Sequence, residues 1–129
     1  MGLTLRKLSA FLFFFALSIG SPFLTDGRES YIGYTESGKA SFYSDKIHHK
    51  KTASGELYKH SLKTAAHKKL PFGSNVKVTN LNNGKSVIVK INDRGPFNED
   101  RIIDLSKSAF SSIDNKLSGI INVKIEVVK

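Results

Sequence analysis

Asp93 stands out among the ionisable residues, because Asn92-Asp93-Arg94-Gly95-Pro96-Phe97 joins a carboxyl to a sharp turn. It follows residues 86–92, where Val87, Val89 and Ile91 share one face, and a period of two carries Asp93 to that same face. A carboxyl directed at apolar surroundings is costly to ionise. The parity therefore predicts a raised pKa and a side chain that still holds a proton near neutral pH, as a general acid must. Gly95-Pro96 turns the backbone at once and would leave the carboxyl at the rim of a cleft; on residue pattern alone the competing role is a brace for the turn. Glu56 sits in Thr52-Ala53-Ser54-Gly55-Glu56-Leu57-Tyr58, a small-residue loop able to bring a second carboxylate to a substrate, although exposed loop glutamates are common. His67 follows Thr64-Ala65-Ala66, a setting that suits a structural donor as well as a catalyst.

Other chemistries find less support. His48, His49 and His60 invite a metal reading, but strand neighbours point to opposite faces and no His or carboxylate pair has a familiar zinc spacing, so neither metal nor cofactor is expected. Ser41, Ser54 and Ser106 lack a Gly-x-Ser-x-Gly setting, and no glycine-rich phosphate loop occurs. The chain has no cysteine, which removes thiolate nucleophiles, disulfides and the anchoring residue of a lipid-linked export signal.

At 129 residues the chain has the size of one domain. Arg6 and Lys7 precede an apolar run from Leu8 to Ile19. That run is short of the roughly 20 residues a spanning helix needs, and Ser18-Ile19-Gly20 offers small residues for cleavage. The expectation is a signal peptide over residues 1–20, with an uncut anchor as the alternative, and hence a periplasmic or extracellular domain without stable membrane insertion after cleavage. Residues 21–37 read as a flexible linker and residues 38–129 as the domain. Losing residues 1–20 removes two of the 20 Lys and Arg and none of the 11 acids, leaving a net charge of +7. Outside the cytoplasm such a surface suits wall polymers or other polyanions rather than nucleic acid.

From Gly38 onward, short apolar alternations separated by turns indicate an all-β domain. Ile121, Val123, Ile125 and Val127 form one face of a final strand, and residues 40–43 supply an opening one. Val76 and Val78 lie in a strand joined through Asn82-Asn83-Gly84, a two-residue hairpin signal, to residues 86–92. Ser106 caps a short helix carrying Ala109, Phe110 and Ile113.

Seven motifs occur in order: Gly38-Lys39-Ala40-Ser41-Phe42-Tyr43, Thr52 to Glu56, Thr64-Ala65-Ala66-His67-Lys68, Leu70-Pro71-Phe72-Gly73, Val76 to Leu81, Asn92 to Phe97, and Arg101-Ile102-Ile103-Asp104-Leu105-Ser106. Together they resemble the RlpA (rare lipoprotein A) family over nearly all of residues 38–128. The resemblance implies a six-stranded double-psi β-barrel with one or two short helices. It also implies lytic cleavage of peptidoglycan glycan strands, especially strands without stem peptides, by a monomer. On the family's motifs the catalytic aspartate falls on Asp93, with Glu56 and His67 as the other site residues. A lytic transglycosylase manages with one carboxyl, since the nucleophile is the substrate's own muramyl 6-hydroxyl. Glu56 would then stabilise charge or orient that hydroxyl, and His67 would hold a carboxylate or a sugar oxygen. Tyr43, Tyr58 and Arg94 are candidates for binding substrate, and Phe97 is a further candidate for stacking on a sugar ring, although core packing is its favoured role. The chain departs from the family pattern at Ser44-Asp45 and Ile47-His48-His49, so the loop before Glu56 is expected to differ in shape. Two further readings stand beside the enzyme: an expansin-like module that grips wall glycan without cutting it, and a basic exported protein that binds wall enzymes.

Overall fold

The computed structural model describes residues 27–129, so the expected signal peptide at residues 1–20 lies outside the described residues. Six strands follow in chain order: β1 (Thr35–Phe42), β2 (Thr64–His67), β3 (Asn75–Asn80), β4 (Ser86–Asp93), β5 (Arg101–Leu105) and β6 (Ile121–Val128). They close into a barrel in the order β1-β5-β2-β4-β3-β6. The β1·β5 and β2·β4 pairs are parallel and the other four antiparallel, so the chain crosses the barrel between strands instead of running up and down it.

Alternation drives the closure. Ile121, Val123, Ile125 and Val127 of β6 are buried, as are Val76 and Val78 of β3, and they meet Val89, Ile91, Ile103 and Leu105 in one core. Burying each such side chain contributes roughly 1.5–3 kcal/mol. The α-helix α1 (Lys107–Ile113) begins where the Ser106 side chain accepts the Ala109 N–H, and it adds Ala109, Phe110 and Ile113 to the core. The β3–β4 hairpin forms, with a wider turn than the two residues expected: the Asn80 N–H reaches the Lys85 carbonyl, and residues 81–84 make the connection.

The fold also begins earlier than Gly38. Strand β1 opens at Thr35 against β6, and a 3-10 turn at Glu29–Tyr31 precedes it. Tyr31 and Tyr34 meet edge to face at 6.1 Å and pack on the core. Backbone hydrogen bonds between Gly33, Tyr34 and Val127 fasten this stretch, so the apolar residues scattered through the expected linker anchor it to the barrel.

Candidate active site

A bulge decides which way Asp93 points. In the parallel β2·β4 ladder Ala65 pairs with Ile91 but Ala66 pairs with Asp93, so Asn92 is skipped. Partners in a ladder share a face, and Ala65 and Ile91 are both core residues. Asp93 therefore lies on the outer face with Ala66, opposite to the apolar face that unbroken parity predicts. Ala66 also pairs with Asp104 of β5, which in turn pairs with Ser41 of β1. Four paired residues on four strands, Ser41, Asp104, Ala66 and Asp93, thus form one row on the barrel's outside, with a small alanine between two carboxylates. The two aspartates are two strand spacings apart, about 10 Å between backbones.

Asp104, Ala66 and Asp93 of this row floor an open cleft of about 700 Å³ whose lining also includes Tyr43, Arg94, Phe97 and Arg101. In place of the apolar surroundings expected, three donors meet the half-buried Asp93 carboxylate: the Tyr43 hydroxyl at 2.7 Å on Oδ2, and the backbone N–H groups of Ala53 at 2.8 Å and Arg94 at 2.9 Å on Oδ1. Burial, then the hydrogen bond to Asp93 and the charges of Asp93 and Asp104, push the Tyr43 phenol far above its ordinary range. Tyr43 is thus a permanent donor that fixes the carboxylate's rotamer. Across the row Asp104 Oδ1 accepts from the Ser41 hydroxyl and from Arg101, each at 2.7 Å. Asp104 was legible as an outward residue between buried Ile103 and Leu105, yet only its motif drew notice. Phe97, for which the sequence favours core packing over sugar stacking, is 89% exposed on the cleft rim, because the turn at Gly95 (φ 120°) throws the following chain outward.

Glu56 reaches the neighbourhood but not the cleft. Its loop closes through the Thr52 N–H to the Glu56 carbonyl and is tied to β4 by the Ser54 N–H on the Asn92 carbonyl. The carboxylate turns to Lys90 Nζ at 2.9 Å and Asn92 Nδ2 at 3.0 Å. Those two hydrogen bonds, Lys90 first, hold its pKa below the ordinary carboxylate value. It lines a smaller pocket of about 240 Å³ on the other side of its loop, with Phe72, Lys90 and Asn92.

His67 faces away from the cleft. As a partner of Ile103 on the inner face of β2 it is only 2% exposed. Its Nδ1 accepts the N–H groups of Lys69 and Leu70, both at 3.1 Å, so the ring proton resides on Nε2, 3.0 Å from Glu36 Oε1. Burial lowers its pKa against the opposing pull of Glu36. The ring so fixes the turn after β2, and the carbonyls of His67 and Leu70 accept from Arg94 Nη1 at 3.3 and 2.9 Å. Arg94 also lies 4.1 Å over the Phe72 ring. His67 does hold a carboxylate, but it is that of Glu36, whose segment had read as linker.

Tyr58, a candidate for sugar stacking, is 1% exposed and packs beneath Tyr43 with ring centroids 4.4 Å apart. Its hydroxyl accepts the Lys107 N–H and bonds His60 Nδ1 at 2.7 Å, so Tyr58 supports the cleft wall from inside. His48 stacks between His49 and His60 at 3.8 and 4.2 Å, and His60 Nε2 reaches Asp45 at 2.9 Å beside Lys107. Among the described residues no group of three or more His, Cys, Asp or Glu is placed to hold a metal ion.

A family model described as lytic transglycolase matches residues 35–125, the whole span from β1 into β6. The chain belongs to this RlpA-like family. Curated relatives named endolytic peptidoglycan transglycosylase RlpA include one from Vibrio cholerae, 55% identical over 96 residues, and one from Campylobacter jejuni, 48% identical over 112. These alignments cover 74% and 83% of this chain but 36% and 41% of the relatives, so the chain spans well under half their length. Among solved structures, the Streptomyces papain inhibitor superposes with a TM-score of 0.63 at 24% identity, covering 76% of this chain and 97% of its own. A Clavibacter michiganensis expansin gives 0.61 at 21%, covering 74% and 50%. Both neighbours support the double-psi barrel and carry the comparison no further than fold.

Proposed function

We propose that this domain is a lytic transglycosylase that cleaves peptidoglycan glycan strands, with Asp93 as acid and then base. The observation that carries this reading is the Asp93 carboxylate, aimed by Tyr43 and two backbone N–H groups on the floor of an open cleft whose other carboxylate, Asp104, is paired with Arg101. Protonated Asp93 gives its proton to the glycosidic oxygen as the bond to the muramyl C1 breaks. The 6-hydroxyl of the same muramyl residue closes on C1 and returns its proton to the Asp93 carboxylate. The new end is a 1,6-anhydromuramyl ring, no water is consumed, and Asp93 is ready for another round.

Tyr43 stays protonated throughout and keeps the carboxylate in place. Phe97 offers an exposed ring for a pyranose face, and Arg94, held by the turn that His67 clamps, donates its backbone N–H to Asp93. In this scheme His67 is a positioning residue. Glu56, ionised and held by Lys90, serves substrate binding and not proton transfer. Residues 1–20 act as an export leader that delivers the basic domain to the cell wall, where strands freed of stem peptides enter the open cleft most readily. No helix among the described residues is long and apolar enough to cross a membrane.

The test is digestion of purified bare glycan strands in ¹⁸O-labelled water, read by mass spectrometry. Transglycosylation yields anhydro ends carrying no label. Labelled reducing ends would indicate hydrolysis, and strand binding without fragments would indicate an expansin-like module.

A further inference from the structure

The smaller pocket beside Glu56 is unused by the chemistry above, although it lies one residue from the reacting carboxylate. Asn92 lines it while Asp93 lines the cleft, and Ser54 lines it while the Ala53 N–H holds Asp93. Consecutive residues are about 3.8 Å apart, so the two spaces adjoin across β4 and the Thr52–Glu56 loop. At about 240 Å³ it is smaller than the roughly 300–1,000 Å³ that drug-sized ligands occupy, a size suited to one ring of a polymer that continues elsewhere.

Its walls are built before any ligand arrives. The Gly73 N–H is bonded to the Ile91 carbonyl at 2.7 Å and the Ser54 N–H to the Asn92 carbonyl at 3.2 Å, which locks both flanking turns to β4. Lys90 and Asn92 hold one Glu56 oxygen each, and each oxygen keeps further lone-pair capacity toward the open side. Asn92 is 2% exposed, and its Oδ1 is buried without a partner. Such an orphan is costly to maintain, and here it accompanies an amide turned to serve Glu56. Phe72, 37% exposed, has its ring steadied by Arg94. The pocket thus combines a fixed acceptor pair, an ammonium donor and an aromatic surface, which match the hydroxyls, acetamido group and apolar ring face of an N-acetylated hexosamine.

We propose that this pocket is a second sugar subsite for the strand cleaved at Asp93, with Glu56, Lys90 and Phe72 holding a pyranose adjoining the scissile linkage. The proposal rests on the reading of the Asp93 cleft given above. It assigns Glu56 to holding substrate, so its loss weakens capture before it slows chemistry.

Two measurements on the full-length chain test it separately from that reading. In the first, Phe72→Ala, Lys90→Ala and Glu56→Gln are compared with wild type on bare glycan strands, with thermal melting to verify folding. KM should rise roughly two- to tenfold per variant while kcat stays within about twofold. A Glu56→Gln variant that loses kcat at unchanged KM would overturn the assignment. In the second, an N-acetylglucosamine hexamer is titrated into ¹⁵N-labelled wild type. Backbone amide shifts at Ser54, Gly73 and Asn92 support the subsite even if no strand is ever cut, whereas shifts confined to Gly95 and Phe97 refute it even if cutting is vigorous.

Discussion

Lowering the pH from about 7.5 to about 5 is expected to destabilise the barrel through His67, in the range where histidine titrates. The neutral ring satisfies all its contacts with the proton on Nε2, since Nδ1 already accepts from Lys69 and Leu70. A second proton on Nδ1 would confront those two N–H groups in a site that is 2% exposed. Burial therefore depresses the folded-state pKa, with the Glu36 hydrogen bond pulling the other way. The unfolded chain takes its proton first, near the ordinary histidine value of about 6.5. The contribution is complete above that pH and is lost progressively as the pH falls toward the lower folded value. One proton sets the ceiling, a slope of about 1.4 kcal/mol per pH unit. His48, lowered by burial and by His49 and His60, slopes the same way, so wild type alone does not isolate the effect. The comparison is urea unfolding of wild type and His67→Gln at several pH values. The variant should lose about 1–3 kcal/mol at neutral pH from broken hydrogen bonds, and its stability should fall less steeply with acid. Parallel slopes would mean that His67 is not the titrating group and would refute the reasoning.

Removing the phenol in Tyr43→Phe deletes a hydrogen bond to a charged group, worth about 1.5–3 kcal/mol, and is expected to lower kcat by about tenfold or more with the fold intact, read by strand digestion and circular dichroism. Phe97→Ala should leave stability within about 0.5 kcal/mol, because the ring is 89% exposed, while raising KM for strands several-fold in steady-state kinetics. Ser106→Ala removes the α1 cap and a weaker bond from the Thr64 N–H, and should cost about 1 kcal/mol in urea unfolding with kcat unchanged.

What could be read in advance depended on whether a residue's fate was set locally. The last strand and α1 were legible because β6 keeps strict alternation and Ser106 is an N-cap before a helical repeat. Strand β2 was not, since its four residues are all buried and four buried residues show no period. The identity of Asp93 was available from its motif, but its direction was not. The register shift past Asn92 arises in the parallel ladder with β2, formed across 26 residues of chain, and it places the carboxylate on the outer face. The same ladder separates His67 from the cleft, since it neighbours Ala66 on a strand and so takes the inner face. Phe97 and Tyr58, both candidates for stacking on a sugar, part ways for a related reason: aromatic character does not distinguish a ring that follows an outward turn from one packed beneath the cleft wall. Glu36 was overlooked because its segment lacked a period, though β6 supplies the pairing that orders it.

The central claim is that one carboxyl, Asp93, makes and breaks the bond. It is tested most directly by mass analysis of bare glycan strands incubated with wild type and with Asp93→Asn, an isosteric change that keeps the side chain's shape and removes its acid. The account predicts anhydromuramyl-ended fragments from wild type and a fall of about 10²–10⁴-fold in their rate of formation with the variant, at unchanged melting temperature. Fragments released at the wild-type rate by a folded Asp93→Asn chain would contradict it.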